Sequence, residues 1–203
     1  MRFLVLSSSR GTTFQAVIDR VQDGTLTMEC LGLISDTSDR GCVEKAKKAG
    51  LPVTIIERTK GESRDAYDQR LLQAIETMGA DPADTVIAAL GWMFIFTPAF
   101  IAHWKNRIIN VHPALLPKHG GKGMYGAKVH EAVLAAGDSE SGISIHLMDE
   151  HVDTGPILLQ KKCPVEADDT IDTLKERIQS LEKEWYPKVL QMIESGEMKL
   201  DLR

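Results

Sequence analysis

The stretch "IINVHPALLP", residues 108–117, decides how the chain is read. A branched apolar run is interrupted by Asn110 and His112 and stopped by Pro113. Side chains at i and i+2 of a strand share a face, so the amide and the imidazole point the same way at its end. The segments before it alternate between strand and helix. "FLVLS" (3–7) reads as a buried strand, followed by the turn "SSRGTT" and a helix over "FQAVIDRVQDG". "CLGLISD" (30–36) reads as a strand, "CVEKAKKAG" (42–50) as a helix closed by Gly50, and "PVTIIE" as a short strand. A helix covers "SRDAYDQRLLQAIETMG", with Leu71, Leu72 and Ile75 on one face. Two further buried strands follow at "TVIAALGW" and "RIINV".

This alternation, from residue 3 to about 112, predicts an α/β fold with a doubly wound, mostly parallel sheet and right-handed crossovers. Beyond His112 the pattern changes. "SGISIHLMD" and "PILLQKKCPV" read as neighbouring antiparallel strands joined by the loop "EHVDTG", and the tail from Thr170 reads as one long amphipathic helix with a kink expected near Pro187. One domain over 1–203 is expected.

Composition narrows the function classes. The 203 residues, 43% hydrophobic, suffice for one sizeable core. A net charge of -5 with 26% charged residues gives no bulk attraction to nucleic acid or to an anionic membrane surface. Three cysteines, Cys30, Cys42 and Cys163, lack disulfide or zinc spacing and read as free thiols of a reducing compartment. The N-terminal apolar run is too short for a signal peptide, and no stretch reaches the ~18 apolar residues of a membrane span. A cytoplasmic protein is expected.

Pro113 places Asn110 and His112 at the carboxyl end of a parallel sheet, where open α/β sheets bind ligands. An amide N–H can stabilise an oxyanion, and an imidazole can move a proton, a pairing suited to acyl transfer. "DEHVDTGP" (149–156) offers a partner carboxylate, with Asp153 held beside a Thr-Gly-Pro turn, although an acidic hairpin turn alone would read the same way. The turn at Gly11, Thr12 and Thr13 opens the first helix, where backbone N–H groups and the helix dipole favour an anion such as a phosphate monoester; a capped turn without ligand fits these residues almost as well. With one glycine it is no dinucleotide fingerprint. "AALGWMFIFTPAF" (88–100) concentrates aromatics and suits either a flat heterocycle or plain core. No histidine spacing marks a metal site; His130 and His146 are expected to be structural, and His119 solvated.

Together, "VLSSSRGTTFQAVID", "LGWMFIFTPAF", "INVHPALLP" and "SGISIHLMDEHVDTGPILLQ" resemble the folate-dependent formyltransferases, in the family's order and over nearly the whole chain. Within that family the members that formylate glycinamide ribonucleotide in purine synthesis are most similar. The resemblance implies a Rossmann-like formyltransferase fold, with a phosphate-binding half over 1–109 and a folate and catalytic half over 110–203. It implies 10-formyltetrahydrofolate as a consumed co-substrate, glycinamide ribonucleotide as acceptor, no metal, and a monomer or homodimer with no nucleic-acid or membrane partner.

The implied catalytic residues are Asn110, His112 and Asp153. Gly11, Thr12 and Thr13 would hold the acceptor phosphate and Glu182 its ribose, while Arg64, Met93, Phe94, Ile95, Phe96 and Asn110 would contact the folate. Ser9, Thr12-Thr13 and Phe94 depart from the family's usual glycine, Ser-Asn and arginine, and "GGKGMYGAKVH" is longer than in some members. A chain that begins at its first strand and stops just past the long helix fits the glycinamide ribonucleotide branch better than relatives with added domains. Hydrolysis of the formyl donor, or transfer to another amine, remains the alternative.

Overall fold

Alternate residues of the central strands divide between two cores, which is why both faces of the sheet need helices. A computed structural model describes residues 1–200 of the chain. Its elements run β1 (Arg2–Ser7), α1 (Thr12–Gln22), β2 (Glu29–Ser35), α2 (Gly41–Lys48), β3 (Val53–Ile55), α3 (Arg64–Thr77), β4 (Thr85–Ala89) and α4 (Pro98–His103). They continue with β5 (Ile108–His112), α5 (Ala127–Ala135), β6 (Glu140–Leu147), β7 (Ile157–Pro164) and α6 (Ile171–Glu194). Phe3, Val5, Val86, Ala88 and Ile109 join one buried cluster with Phe14, Val17, Leu174, Ile178 and Tyr186 of α1 and α6. Leu4, Leu6, Ile87, Ala89 and Ile108 join the other with Tyr67, Leu71 and Ile75 of α3 and Phe100 of α4. Strands buried on both faces read as continuous apolar runs, and these do.

The sheet order is β3-β2-β1-β4-β5-β6-β7. β1 through β5 pair in parallel, and β6 runs antiparallel to β5 and to β7. The expected doubly wound sheet with an antiparallel C-terminal pair is therefore the observed one. β1 lies between β2 and β4, so the winding reverses there, and a crevice opens at the carboxyl ends of β1 and β4.

Two helices were not expected. Pro98–His103 is short, capped by Thr97 with Pro98 in its first turn, and sits inside a run read as one aromatic stretch. Ala127–Ala135 follows a glycine-rich segment, and its pattern is too short to separate from loop. The long C-terminal helix continues through Pro187, where a kink was expected. Its start is well fixed: Thr170 and Thr173 form a reciprocal cap, and Arg177 is bonded to Asp169. Tyr186 then donates its hydroxyl to the Ile109 carbonyl at 2.9 Å, tying α6 to β5. Among the described residues no helix is long and apolar enough to cross a membrane.

Candidate active site

The end of β5 carries the densest polar cluster of the crevice. Asn110 stands opposite His146 of β6 in the antiparallel register, and its Nδ2 lies 3.0 Å from His146 Nε2. His146 Nδ1 lies 2.9 Å from the Leu147 carbonyl, which can only accept, so Nδ1 carries the proton and Nε2 receives the Asn110 N–H. Burial holds the His146 pKa below the ordinary imidazole value, in keeping with this neutral form. The second N–H of the Asn110 amide is left for a ligand.

His112 is 4% exposed and directs Nε2 to the His119 carbonyl at 2.8 Å. That bond requires a proton on Nε2, which makes Nδ1 the working nitrogen. Nδ1 faces Asp153 Oδ2 at 3.4 Å, and the Gly121 N–H donates to the same oxygen at 2.9 Å. Asp153 sits in the left-handed region at φ 60, which Asp tolerates better than most residues. Its other oxygen lies 3.7 Å from His146 Nε2, but both atoms are acceptors in this tautomer, so no ion pair joins them. The three residues singled out from the sequence therefore meet, and His146, expected to be only structural, fixes the amide of one of them.

The second end of the crevice is the β1–α1 turn. Gly11 is the left-handed residue before α1, at φ 73. An added Cβ would approach Cys42 Cα at 2.8 Å, so glycine is required for the packing of α2. Its own N–H donates to Ser9 Oγ at 3.1 Å. Gly11 is thus a backbone hinge, and the N–H groups with no intrahelical partner begin at Thr12. Thr12 and Thr13 both line the cleft. The Thr13 hydroxyl, however, donates to Glu182 Oε2 of α6 at 2.8 Å, so only its backbone remains for an anion.

Glu182 is half-buried overall, but its carboxyl is shielded, and that burial, opposed by the Thr13 hydrogen bond and by Lys183, raises its pKa to about 7 from the ordinary 4.5. The folded state therefore binds this proton more tightly than the unfolded chain. The associated stability is complete below pH 4.5 and is lost as pH rises through about 7. Glu182→Gln is expected to remove this fall, so its gain in Tm over the parent should be larger near pH 8 than near pH 5. Melts showing the same difference at both values would dismiss Glu182 as the source.

Residues 91–97 form the third wall. Phe94 packs against Tyr67 of α3 at 5.0 Å and Trp92 at 5.3 Å between ring centroids, and Phe96 stacks on Phe100 at 4.3 Å. Buried Asp68 takes the Thr97 N–H at 2.6 Å and secures the end of the segment. Met93 and Ile95 turn outward, 48% and 41% exposed. All four of residues 93–96 line the cleft. Arg64 is exposed at the first turn of α3 and lies outside the cleft lining.

These walls enclose one cleft of about 650 Å³ that reaches from Thr12, Thr13 and Glu182, past Asn110, His112 and Asp153, to Met93–Phe96. That volume suits two small-molecule substrates side by side. Three lining residues, Ser8, Trp92 and His130, carry buried polar atoms with no protein partner. Such atoms need ligands of some kind, and these three mark the cleft as polar inside as well as aromatic. Burial, helped by Lys175 and His112, lowers the His130 pKa to about 4, so its imidazole is neutral. His119, expected in solvent, is instead mostly buried and paired with Asp138 at 2.7 Å. The order of residues along the chain held no signal for His119 or His146, because the β5–β6 pairing and a tight turn bring them in. Among the described residues no group of three or more His, Cys, Asp or Glu could hold a metal ion.

Comparison with known proteins agrees with this fold. A family model described as "Formyl transferase" matches residues 1–190. The chain is 34% identical over 200 residues to the phosphoribosylglycinamide formyltransferase of Escherichia coli K12, covering 98% of this chain and 90% of that one. It is 33% identical to the trifunctional purine biosynthetic protein adenosine-3 of Bos taurus, covering 98% of this chain and 19% of that protein. The crystal structure of phosphoribosylglycinamide formyltransferase from Bacillus halodurans superimposes with a TM-score of 0.88 at 30% identity, covering 100% of both chains. The Coxiella burnetii enzyme superimposes with a TM-score of 0.87 at 34% identity, covering 97% of this chain and 88% of that one. Matched by the family model over residues 1–190 and similar to curated relatives over nearly its full length, the chain belongs to the formyl transferase family.

Proposed function

We propose that this chain transfers the formyl group of 10-formyltetrahydrofolate to the amine of glycinamide ribonucleotide, a step of purine biosynthesis. The observation that carries this reading is the His112 ring, whose Nε2 is committed to the His119 carbonyl while Nδ1 faces Asp153 beside the Asn110 amide. The unprotonated amine attacks the formyl carbon, and the carbonyl pair moves onto oxygen. Asn110 N–H and His112 Nδ1–H hydrogen-bond that oxyanion, and the Asp153 carboxylate faces the same His112 nitrogen at 3.4 Å as a proton relay. As the bond from carbon to the folate nitrogen breaks, one proton passes from the attacking amine to the leaving nitrogen, relayed by His112 and Asp153 directly or through water. The product is a formamide and tetrahydrofolate, with no net redox change.

The acceptor has a phosphate, a ribose and an amine, and the cleft offers a counterpart for each. Backbone N–H groups of Thr12 and Thr13 suit the phosphate, the Glu182 carboxylate suits the ribose hydroxyls, and β5 awaits the amine. The apolar wall at residues 93–96 suits the pterin. Phe94 packs into the wall against Tyr67 and Trp92, so the folate would be held there by shape and backbone. Arg64 would meet only the outer end of the folate. Each substrate thus draws on both halves of the chain, 1–109 and 110–203. The free thiols fit a reducing compartment, and the cytoplasm is the proposed location.

Turnover with and without glycinamide ribonucleotide tests the assignment. Formate release without the acceptor would make the chain a hydrolase, and equal turnover with an amino sugar would overturn the acceptor. Glu182→Ala is expected to weaken acceptor binding by about 1–3 kcal/mol, the range for a lost hydrogen bond to a charged group. Folate binding should stay level. Because a charged carboxylate accepts more strongly, acceptor affinity in the parent protein should rise as pH passes about 7, and this rise should vanish in the variant. Calorimetric titration of each ligand checks both statements.

A further inference from the structure

The turn over residues 118–121 touches both partners of the proposed proton-handling pair. The His119 carbonyl receives the His112 Nε2–H at 2.8 Å, and two residues later the Gly121 N–H donates to Asp153 Oδ2 at 2.9 Å. Between them, a Cβ on Gly120 would come within 2.4 Å of Leu116 Cδ2 and 3.3 Å of Asp153 Cβ, so the turn is pressed against the carboxylate it bonds. His112 and Asp153 thus hold their 3.4 Å relation only while this turn keeps its shape.

The turn's backbone does not hold that shape for free. His119 adopts φ 56, a left-handed conformation that costs a residue with a Cβ and persists only where the surroundings enforce it. The enforcing group lies outside the turn. His119 Nε2 is bonded to Asp138 Oδ2 at 2.7 Å, and Lys118 Nζ is bonded to the other oxygen of the same carboxylate. Asp138 follows the C-terminal end of α5, where its N–H bonds back to the Val133 carbonyl, so the carboxylate is anchored on a helix. Its side chain and the His119 ring are 13% and 12% exposed, shielded enough for the pair to persist.

We propose that His119 and Asp138 are positioning residues, a clamp that sets the separation and orientation of His112 and Asp153. The inference rests on the assignment of those two residues to proton handling. The catalytic groups themselves are unchanged by loss of the clamp; what is lost is their alignment. A misplacement of about 1 Å at such a pair can cost on the order of 10²-fold in rate.

His119→Ala and Asp138→Ala break the clamp from its two ends, and Asp138→Ala does so without altering the strained position. Each should lower kcat for formyl transfer by up to about 10²-fold while both KM values stay near the parent's. His119→Gln, which keeps an N–H donor at similar reach, should restore most of the loss. Destabilisation elsewhere in the fold would not move the second readout, the ¹⁵N-resolved imidazole N–H of His112 in the ligand-free protein. That signal should be protected in the parent and exchange-broadened in both alanine variants. Because it needs no substrate, it stands or falls separately from the identity of the acceptor. Parent-like kcat with an unchanged His112 signal in folded Asp138→Ala would overturn the proposal. So would a rise in both KM values with no change at His112.

Discussion

Replacing His112 by alanine is expected to lower formyl transfer by about 10²–10⁴-fold, and Asn110→Ala by about 10²–10³-fold, the usual ranges for removing a general acid or base and an oxyanion donor. The two losses have different structural costs. His112→Ala leaves the His119 carbonyl without its donor, and Asn110→Ala leaves His146 Nε2 without one. Each orphaned acceptor costs about 1–3 kcal/mol, which a domain with two well-filled cores tolerates. Both variants should therefore melt cooperatively, somewhat below the parent, and still bind folate. Single-turnover rates measured alongside thermal melts check this. A folded Asn110→Ala protein with parent-like rate would mean that the amide faces only His146 and never the substrate.

The fold was largely legible because its strands are buried on both faces. In β1 residues 3–6 are all apolar and fully buried, and the helices between such runs show a single apolar stripe, so the period changes visibly from one element to the next. Where an element is short or flanked by glycine, that contrast fails. Pro98–His103 makes fewer than two turns, and Ala127–Ala135 begins after a glycine-rich segment that masks its start. Pro187 does not end α6, which the sequence already read as one long helix: it runs on to Glu194, with the neighbouring Tyr186 bonded to β5.

The candidate site was legible where it follows strand periodicity and dark where it depends on tertiary pairing. Asn110 and His112 advertise themselves because polar residues alternate at the end of an apolar strand. His146 resembles any buried histidine until the antiparallel register sets it against Asn110. Thr13 shows the same limit. Its place at a helix start suggests an anion, yet its hydroxyl is taken by Glu182, which lies 169 residues away along the chain. Backbone N–H groups need no particular side chain, so the proposed anion site at Thr12 and Thr13 does not depend on their hydroxyls.

Asp153→Asn is the most demanding test of the proposed chemistry, because it changes charge while keeping shape. Asparagine tolerates the left-handed φ of 60 at this position, whereas alanine would add backbone strain to the loss of the carboxylate. The amide oxygen can still accept the Gly121 N–H, which holds the loop in place. Two things then fail. His112 Nδ1, 3.4 Å away, loses the carboxylate that faces it, so a proton taken up during transfer has no counter-charge or onward acceptor there. The new NH₂ faces His146 Nε2, now 3.7 Å from the carboxylate, and can compete with Asn110 for that acceptor. Turnover should fall by about 10²–10⁴-fold, as for loss of a proton-transfer group, with acceptor and folate KM much less affected. Asp153→Ala should lose at least as much turnover and melt lower than Asp153→Asn. The comparison of kcat, both KM values and Tm across the three proteins decides the matter. An Asn variant that turns over like the parent would show that the carboxylate shapes the loop and takes no part in moving the proton.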